Sequence, residues 1–262
     1  MANIGLTNIW WSPLTEGADG TATYAGARKL GKAVSCAVDI TNNEATLYGD
    51  DALAESDTSF ASGTITLGVT DDDDAVFAPL LGHTIDDEGE VVKSSTDVAP
   101  YVGVGRIVTK MVNGAYRYKV EFLYKTKFSE PSKDENTKGE SIEFSTPSVE
   151  GVVAALGDVN GTWSKTKTFT TKTDALTYLK NLMAAAGQTY RLTYDLMGGT
   201  GDVADVDVTA GESVTLNSGI GITAPEGKEF LGWSLSTSST TLVSSPYTPS
   251  GDVTLYAVYR DE

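Results

Sequence analysis

One histidine, His83, and one cysteine, Cys36, serve the whole of this 262-residue chain. A lone cysteine excludes an internal disulfide and every four-cysteine zinc pattern. A lone histidine excludes metal sites built on two or more of them within one chain. It also leaves a Ser-His-Asp or Cys-His arrangement only one place to form, and nothing around Gly82-His83-Thr84 assembles one. Basic residues are scarce as well: Lys+Arg number 19 against 36 Asp+Glu, for a formal charge of −17. That balance argues against binding a phosphate backbone, which requires cations that displace counterions. It suits a surface that nucleic acid passes without sticking, because like charges repel. No apolar run approaches the ~20 residues that span a bilayer, and Met1-Ala2-Asn3-Ile4-Gly5 has no basic-then-apolar secretory pattern. The expectation is a protein made in a cytoplasm, with no membrane insertion.

What the chain has in quantity is glycine, 27 residues, with 40% hydrophobic and 21% charged content. These fit a turn-rich β protein with real cores, in one large or two ordinary domains. Val34, Cys36, Val38 and Ile40 alternate with Ser35, Ala37 and Asp39, a period-two strand pattern. Cys36 therefore reads as a small buried strand residue rather than a reactive thiol. Ala45-Thr46-Leu47-Tyr48 is expected to pair back after a turn at Asn42-Asn43. Residues 49–62 are polar and acidic and read as a long exposed loop, followed by a strand at Thr64–Val69. Asp71 to Asp74 precede Ala75–Gly82 as a carboxylate-rich helix start closed by glycine. A calcium loop is the sharper alternative, but the run lacks alternating ligand spacing.

Asn113-Gly114 between the alternating segments 102–108 and 116–124 is a strong hairpin signal. Residues 125–139 read as a second polar loop, ending in a strand at Ser141–Pro147 with Ile142 and Phe144 on one face. The clearest helix runs from Thr173, as N-cap, to Met183, with Leu176, Leu179, Leu182 and Met183 as its stripe and Gly187 beyond its end. A domain boundary is expected there, giving units 1–188 and 189–262. Trp10-Trp11 read as residues buried against a neighbour. Gly103-x-Gly105 lies inside a strand, and Gly198-Gly199-Thr200-Gly201 lacks a following Lys-Ser/Thr, so neither is a phosphate loop.

Charge divides along the sequence. Residues 1–97 carry 4 Lys+Arg against 17 Asp+Glu, residues 98–188 carry 12 against 9, and the remainder carries 3 against 10. Such asymmetry serves self-association through complementary surfaces. Carboxylates are abundant, but no pair is singled out as a glycosidase couple. No catalytic, cofactor-binding or metal-binding residues are expected. The expectation is a structural protein that works by assembling.

Two resemblances add to this. Tyr190-Arg191-Leu192-Thr193-Tyr194-Asp195, the turn at Gly198–Gly201, Glu226–Trp233 and Asp252–Tyr259 together resemble the Listeria–Bacteroides repeat, also called the internalin B-repeat, a surface-display module. Its core is expected at Phe230, Leu231, Trp233, Leu255 and Tyr256, each worth ~1.5–3 kcal/mol on burial. Residues 1–188 resemble the major tail (tail tube) protein of long-tailed non-contractile bacteriophages, through segments that span about residues 34–150. The segments concerned are Ala45–Asp50, Leu81–Thr84, Asp97–Gly105, Tyr116–Tyr118, Phe122–Pro131 and Thr137–Pro147. The Lys127-Phe128-Ser129-Glu130-Pro131 and Ser141–Pro147 stretches carry the most specific match.

The second resemblance implies a mainly β fold: a tail-tube-type β-sandwich or barrel with a flanking α-helix, followed by a small β-rich, β-grasp-like domain. It implies hexameric rings stacked into a tube around a tape-measure protein, capped by tail terminator and distal tail proteins, in a virion assembled in the host cytoplasm. DNA would run down the lumen without specific binding. Ring contacts would bury roughly 2,000 Å² or more, and strand edges would serve as assembly elements. The lumen is expected to be net acidic, with Ser35, Asp39, Arg117, Lys119 and Glu121 as candidates to line it. The two long loops are the expected ring-to-ring contacts, through Asp50, Asp51, Glu55 and Asp57 in one and Lys127, Glu130, Lys133, Asp134 and Glu135 in the other. The C-terminal domain would be displayed outside, where a host-surface glycan is a candidate ligand. A cell-surface adhesin or carbohydrate-binding protein is the alternative, and a carbohydrate-active enzyme a weaker one.

Overall fold

The computed structural model describes residues 2–50, 52–70, 73–131, 146–185 and 187–261. The chain is mainly β and divides into two compact units, Met1–Leu179 and Lys180–Glu262.

The first unit begins with β1 (Ala2–Glu16), β2 (Ala22–Tyr24), β3 (Arg28–Gly31), β4 (Ala33–Gly49) and β5 (Ala52–Val69). Helix α1 (Asp74–Leu81) and the short pair β6 (Thr84–Ile85) and β7 (Val91–Val92) come next. Then follow β8 (Val102–Val112), β9 (Ala115–Phe128), β10 (Ser148–Ala154), β11 (Ser164–Phe169) and helix α2 (Lys172–Leu182). One nine-stranded sheet forms the body and curls into a half-barrel, as the sandwich-or-barrel expectation has it, in the order β2-β1-β8-β9-β10-β5-β4. β3 pairs with β1, and β11 runs along β9 beside β10.

Alternation places the core. Ile65, Leu67 and Val69 of β5 turn inward with Val149 and Val153 of β10, and Ile9, Trp11, Val102, Val104, Leu123 and Phe128 join them. Phe77, Leu80 and Leu81 of α1 pack into the same cluster. Gly151 is what lets Phe128 lie flat there, because a Cβ at that position would sit 2.8 Å from the ring. Trp11 is buried in this core with Arg28 over its ring, so it packs within its own chain. At the far side, Tyr24 meets Phe122 edge-on and donates its hydroxyl to the Tyr124 carbonyl at 2.9 Å.

Both helices follow capping chemistry. Asp73 accepts from the Ala75 N–H, and Gly82 ends α1 in the left-handed region at φ 82°. At α2 the cap is Thr171, not Thr173: its Oγ1 accepts from the Asp174 N–H at 3.1 Å. The buried positions are Ala175 and Leu179, and Leu176 and Leu182 are only half-buried. The Asn113-Gly114 turn forms with φ 49° and 76°, the double positive pair that a two-residue hairpin needs.

Two loop expectations are corrected. Residues 52–62 are not a loop but the first part of β5, and Asn42-Asn43 is not a turn but mid-strand. The reversal lies instead at Gly49–Ala52, through Asp50 with φ 48°. The polar composition misled because a ribbon exposed on both faces needs no apolar alternation. Lys125–Phe128 likewise belong to β9, and Ser129–Pro131 follow it outside any strand. Residues 141–145 of the expected strand, with Ile142 and Phe144, and the candidates Asp51, Lys133, Asp134 and Glu135 lie outside the described residues, and Thr146 and Pro147 are not in a strand.

The second unit holds β12 (Thr189–Asp195), β13 (Thr200–Gly201), β14 (Val206–Thr209), β15 (Ile222–Thr223), β16 (Lys228–Ser234) and β17 (Val253–Asp261). Its main sheet has the order β14-β12-β17-β16, with β12 and β17 parallel at the centre. A parallel central pair flanked by antiparallel strands gives the β-grasp-like character.

Candidate assembly surface

β4 and β5 pair from Ala33↔Val69 to Gly49↔Ala52, well beyond the rest of the sheet. β10 accompanies β5 only from Gly63 to Gly68. Past that point the two strands are a free-standing arm. Residues 41–48 and 55–59 are all exposed, Leu47 and Tyr48 by 61% and 69%. A two-stranded ribbon alone is marginally stable in water, and large exposed apolar side chains near its tip add nothing to it there. Phe60, at its root, is tied to the body by stacking on Trp163 at 4.6 Å. Glu55 and Asp57 sit on β5 within this arm, not on a loop, and Asp50 lies in the turn at its tip. β4 is also an edge strand, since among the described residues it pairs only with β5.

The lumen candidates separate into two groups. Cys36 and Val38 pack toward the core, so Ser35 and Asp39 point away from it and are exposed. Arg117, Lys119 and Glu121 share one face of β9, and this face is the core-side one. Arg106 lies opposite Glu121 and extends Nη1 to the Cys36 Sγ at 2.8 Å. Glu121 receives Arg106 Nη2 and Lys119 Nζ, both at 2.5 Å, and its side chain is only 21% exposed. Burial pushes the Glu121 carboxyl up, but Lys119 and Arg106 more than offset this and hold it below the usual glutamate range. Burial raises the Cys36 thiol despite the guanidinium beside it. Glu121 is thus a counter-ion inside a cluster, and Ser35 and Asp39 belong to a different surface.

A second cluster joins α1 to the end of β9. His83 Nδ1 lies 2.8 Å from Asp97 Oδ2, and its Nε2 lies 2.8 Å from Glu130 Oε2. Lys93 Nζ bonds the other oxygen of Glu130. Asp97 also accepts from the Ser94 N–H at 2.8 Å. The bonds to Asp97 and Glu130 raise the His83 pKa above its usual value. His83, Lys93 and Glu130, with Asp74, Phe77, Leu81 and Val91, line a depression in the surface. Both ring nitrogens of His83 are thus engaged. Its partners, 14 and 47 residues away, had no local signal.

In the second unit Trp233 and Leu255 are buried, at 2% and 0% exposure. Tyr194 and Phe230 pack on Trp233 at 4.6 and 5.2 Å, and its indole N–H donates to the Asn217 carbonyl at 2.6 Å. Arg191 on β12 bonds Asp205, and Tyr259 donates its hydroxyl to the Leu196 carbonyl. Residues 190–258 match the Listeria-Bacteroides repeat domain. Two expected core residues of the repeat domain are corrected. Leu231 is 41% exposed, because a bulge between Phe230 and Gly232 resets the alternation so that Phe230 and Trp233 turn inward. Tyr256 is half-buried, on the strand face opposite Leu255 and Ala257. No curated protein matches the chain.

Proposed function

We propose that the chain is a self-assembling structural subunit, not an enzyme, and specifically a major tail tube protein of a long-tailed bacteriophage. The observation that carries self-assembly is the β4–β5 arm: the pairing continues past the end of β10 from Thr41↔Ser62 to Gly49↔Ala52, with the described distal side chains facing solvent on both faces. Such a ribbon gains stability only when something covers it, and an unpaired β4 edge offers backbone groups to a neighbour. In this reading hexameric rings stack around a tape-measure protein, tail terminator and distal tail proteins close the ends, and DNA transits the lumen during ejection. The arm serves as the ring-to-ring contact in place of a flexible loop, and the subunit resides in the virion after assembly in the host cytoplasm.

The repeat domain supports a second, narrower role. It is displayed on the outside of the tube, where many copies can turn a weak host-glycan contact into useful avidity. Taken alone, that domain supports the adhesin reading. Electron microscopy of the purified full chain separates the readings: rings or tubes support the tail subunit, whereas single particles that bind polysaccharide favour the adhesin.

A further inference from the structure

Two surfaces of the first unit carry charge that nothing in the described chain answers. On the arm, Glu55 and Asp57 alternate along β5 opposite Leu47 and Ala45, so the four side chains share one face. Both carboxylates are exposed, and among the described residues neither forms an ion pair. The sequence from Ala33 to Val92 contains no Lys or Arg at all, so the arm has no cation of its own. At the far end of the β8–β9 hairpin, beside the Asn113-Gly114 turn, Lys110 and Arg117 are directly opposed. Like charges facing one another across a strand pair are destabilising. Lys119, one pleat along the same face, has its counter-ion in Glu121. Arg117 instead donates Nη1 to the Tyr116 carbonyl at 2.9 Å, and Lys110 meets no carboxylate among the described residues. Its neighbour on the other side is Asn3, which is uncharged.

We infer that Glu55 and Asp57 on the arm of one copy dock on the Lys110–Arg117 pair of a second copy, with Leu47 buried between them. The inference rests on the self-assembly reading and names the receiving surface. Charge complementarity selects the occupant: two uncompensated anions on one ribbon face, two uncompensated cations on another strand pair, and no pairing between them within the chain. Donor and receiver are different patches of the same molecule, and in the stacked-ring reading the contact between them is head-to-tail. Each copy gives one arm and receives one, which propagates rather than stopping at a dimer. Glu55 and Asp57 are exposed and Lys110 and Arg117 half-buried at the open end of their hairpin, so solvent reaches the contact and it weakens as salt screens it.

The test uses the purified full chain in sedimentation velocity and negative-stain microscopy. E55K/D57K reverses the arm and K110E/R117E reverses the receiver. Each variant alone is expected to associate at least about tenfold more weakly than wild type, since like-charge juxtaposition is strongly penalised. An equimolar mixture of the two variants is expected to recover assembly, because each arm then meets a receiver of opposite charge. A misfolded variant cannot be recovered this way. The inference is overturned if either variant assembles like wild type, or if the mixture fails to recover. A third protein, with residues 43–58 replaced by Asn-Gly, separates this failure from that of the underlying reading. If it loses association while the charge variants keep it, self-assembly through the arm stands and this receiver is wrong. If it too assembles normally, the arm reading itself falls.

Discussion

Nε2 of His83 lies 2.8 Å from Oε2 of Glu130, 47 residues further along the chain, while Nδ1 of the same ring lies 2.8 Å from Asp97. One imidazole thus joins the end of α1 to the segment before β8 and to the exit of β9. Held between two carboxylates, it favours the charged form.

His83 is the only histidine, so its ring gives a single titrating imidazole signal in proton NMR. That signal is expected to titrate above the ordinary pKa of about 6.5. Because the folded pKa is raised, the stabilisation is fully present below the unfolded value and is lost as pH rises through the folded one. Asp97 is held below the usual range by the Ser94 N–H and His83. Glu130 is held low by Lys93 and His83, which outweigh its desolvation. Their contributions are present above the unfolded carboxylate values and fall away as pH drops through the folded ones. The melting-temperature gap between wild type and His83→Gln should therefore be larger near pH 6 than near pH 9. An equal gap at both would contradict the arrangement.

Glu121 is the sole carboxylate within ion-pair distance of Arg106 and Lys119 among the described residues. Glu121→Ala leaves two partly buried cations facing each other, and a loss of about 1–3 kcal/mol is expected after allowing for solvent screening. Urea denaturation measures it. Lys119→Ala, which leaves the Arg106–Glu121 pair in place, should cost less.

Leu255 is fully buried in the repeat domain beside Trp233. Leu255→Ala should cost about 2–5 kcal/mol, while Leu231→Ala, at an exposed position, should fall within about 0.5 kcal/mol of wild type. Thermal unfolding followed through tryptophan fluorescence distinguishes them, and equal losses would contradict the bulge at Phe230–Gly232.

The chain ended after residue 188 should assemble as the full chain does, because the repeat domain is read as a displayed addition. Loss of assembly on truncation would instead make that domain part of the contact.

The regular elements with apolar alternation were legible in the sequence: Thr64–Val69, the hairpin around Asn113-Gly114, the capped helix before Gly82 and the repeat domain's Trp233 and Leu255. The arm was not, because alternation reports a buried face and residues 41–48 and 55–59 of β4 and β5 bury none. Leu231 was misplaced because a one-residue bulge inverts alternation without leaving a mark in composition. The ion clusters at His83 and Glu121 were hidden for a different reason. The partners of His83 come from segments far apart in sequence, and only the register of β8 on β9 sets Arg106 opposite Glu121.

The central claim is that the chain assembles through its arm. Negative-stain microscopy of the purified full chain, read together with its sedimentation, tests it most directly. The account predicts rings or stacked tubes that disappear when residues 43–58 are replaced by Asn-Gly. A wild-type protein that stays a single 27.6 kDa species as its concentration is raised would contradict it.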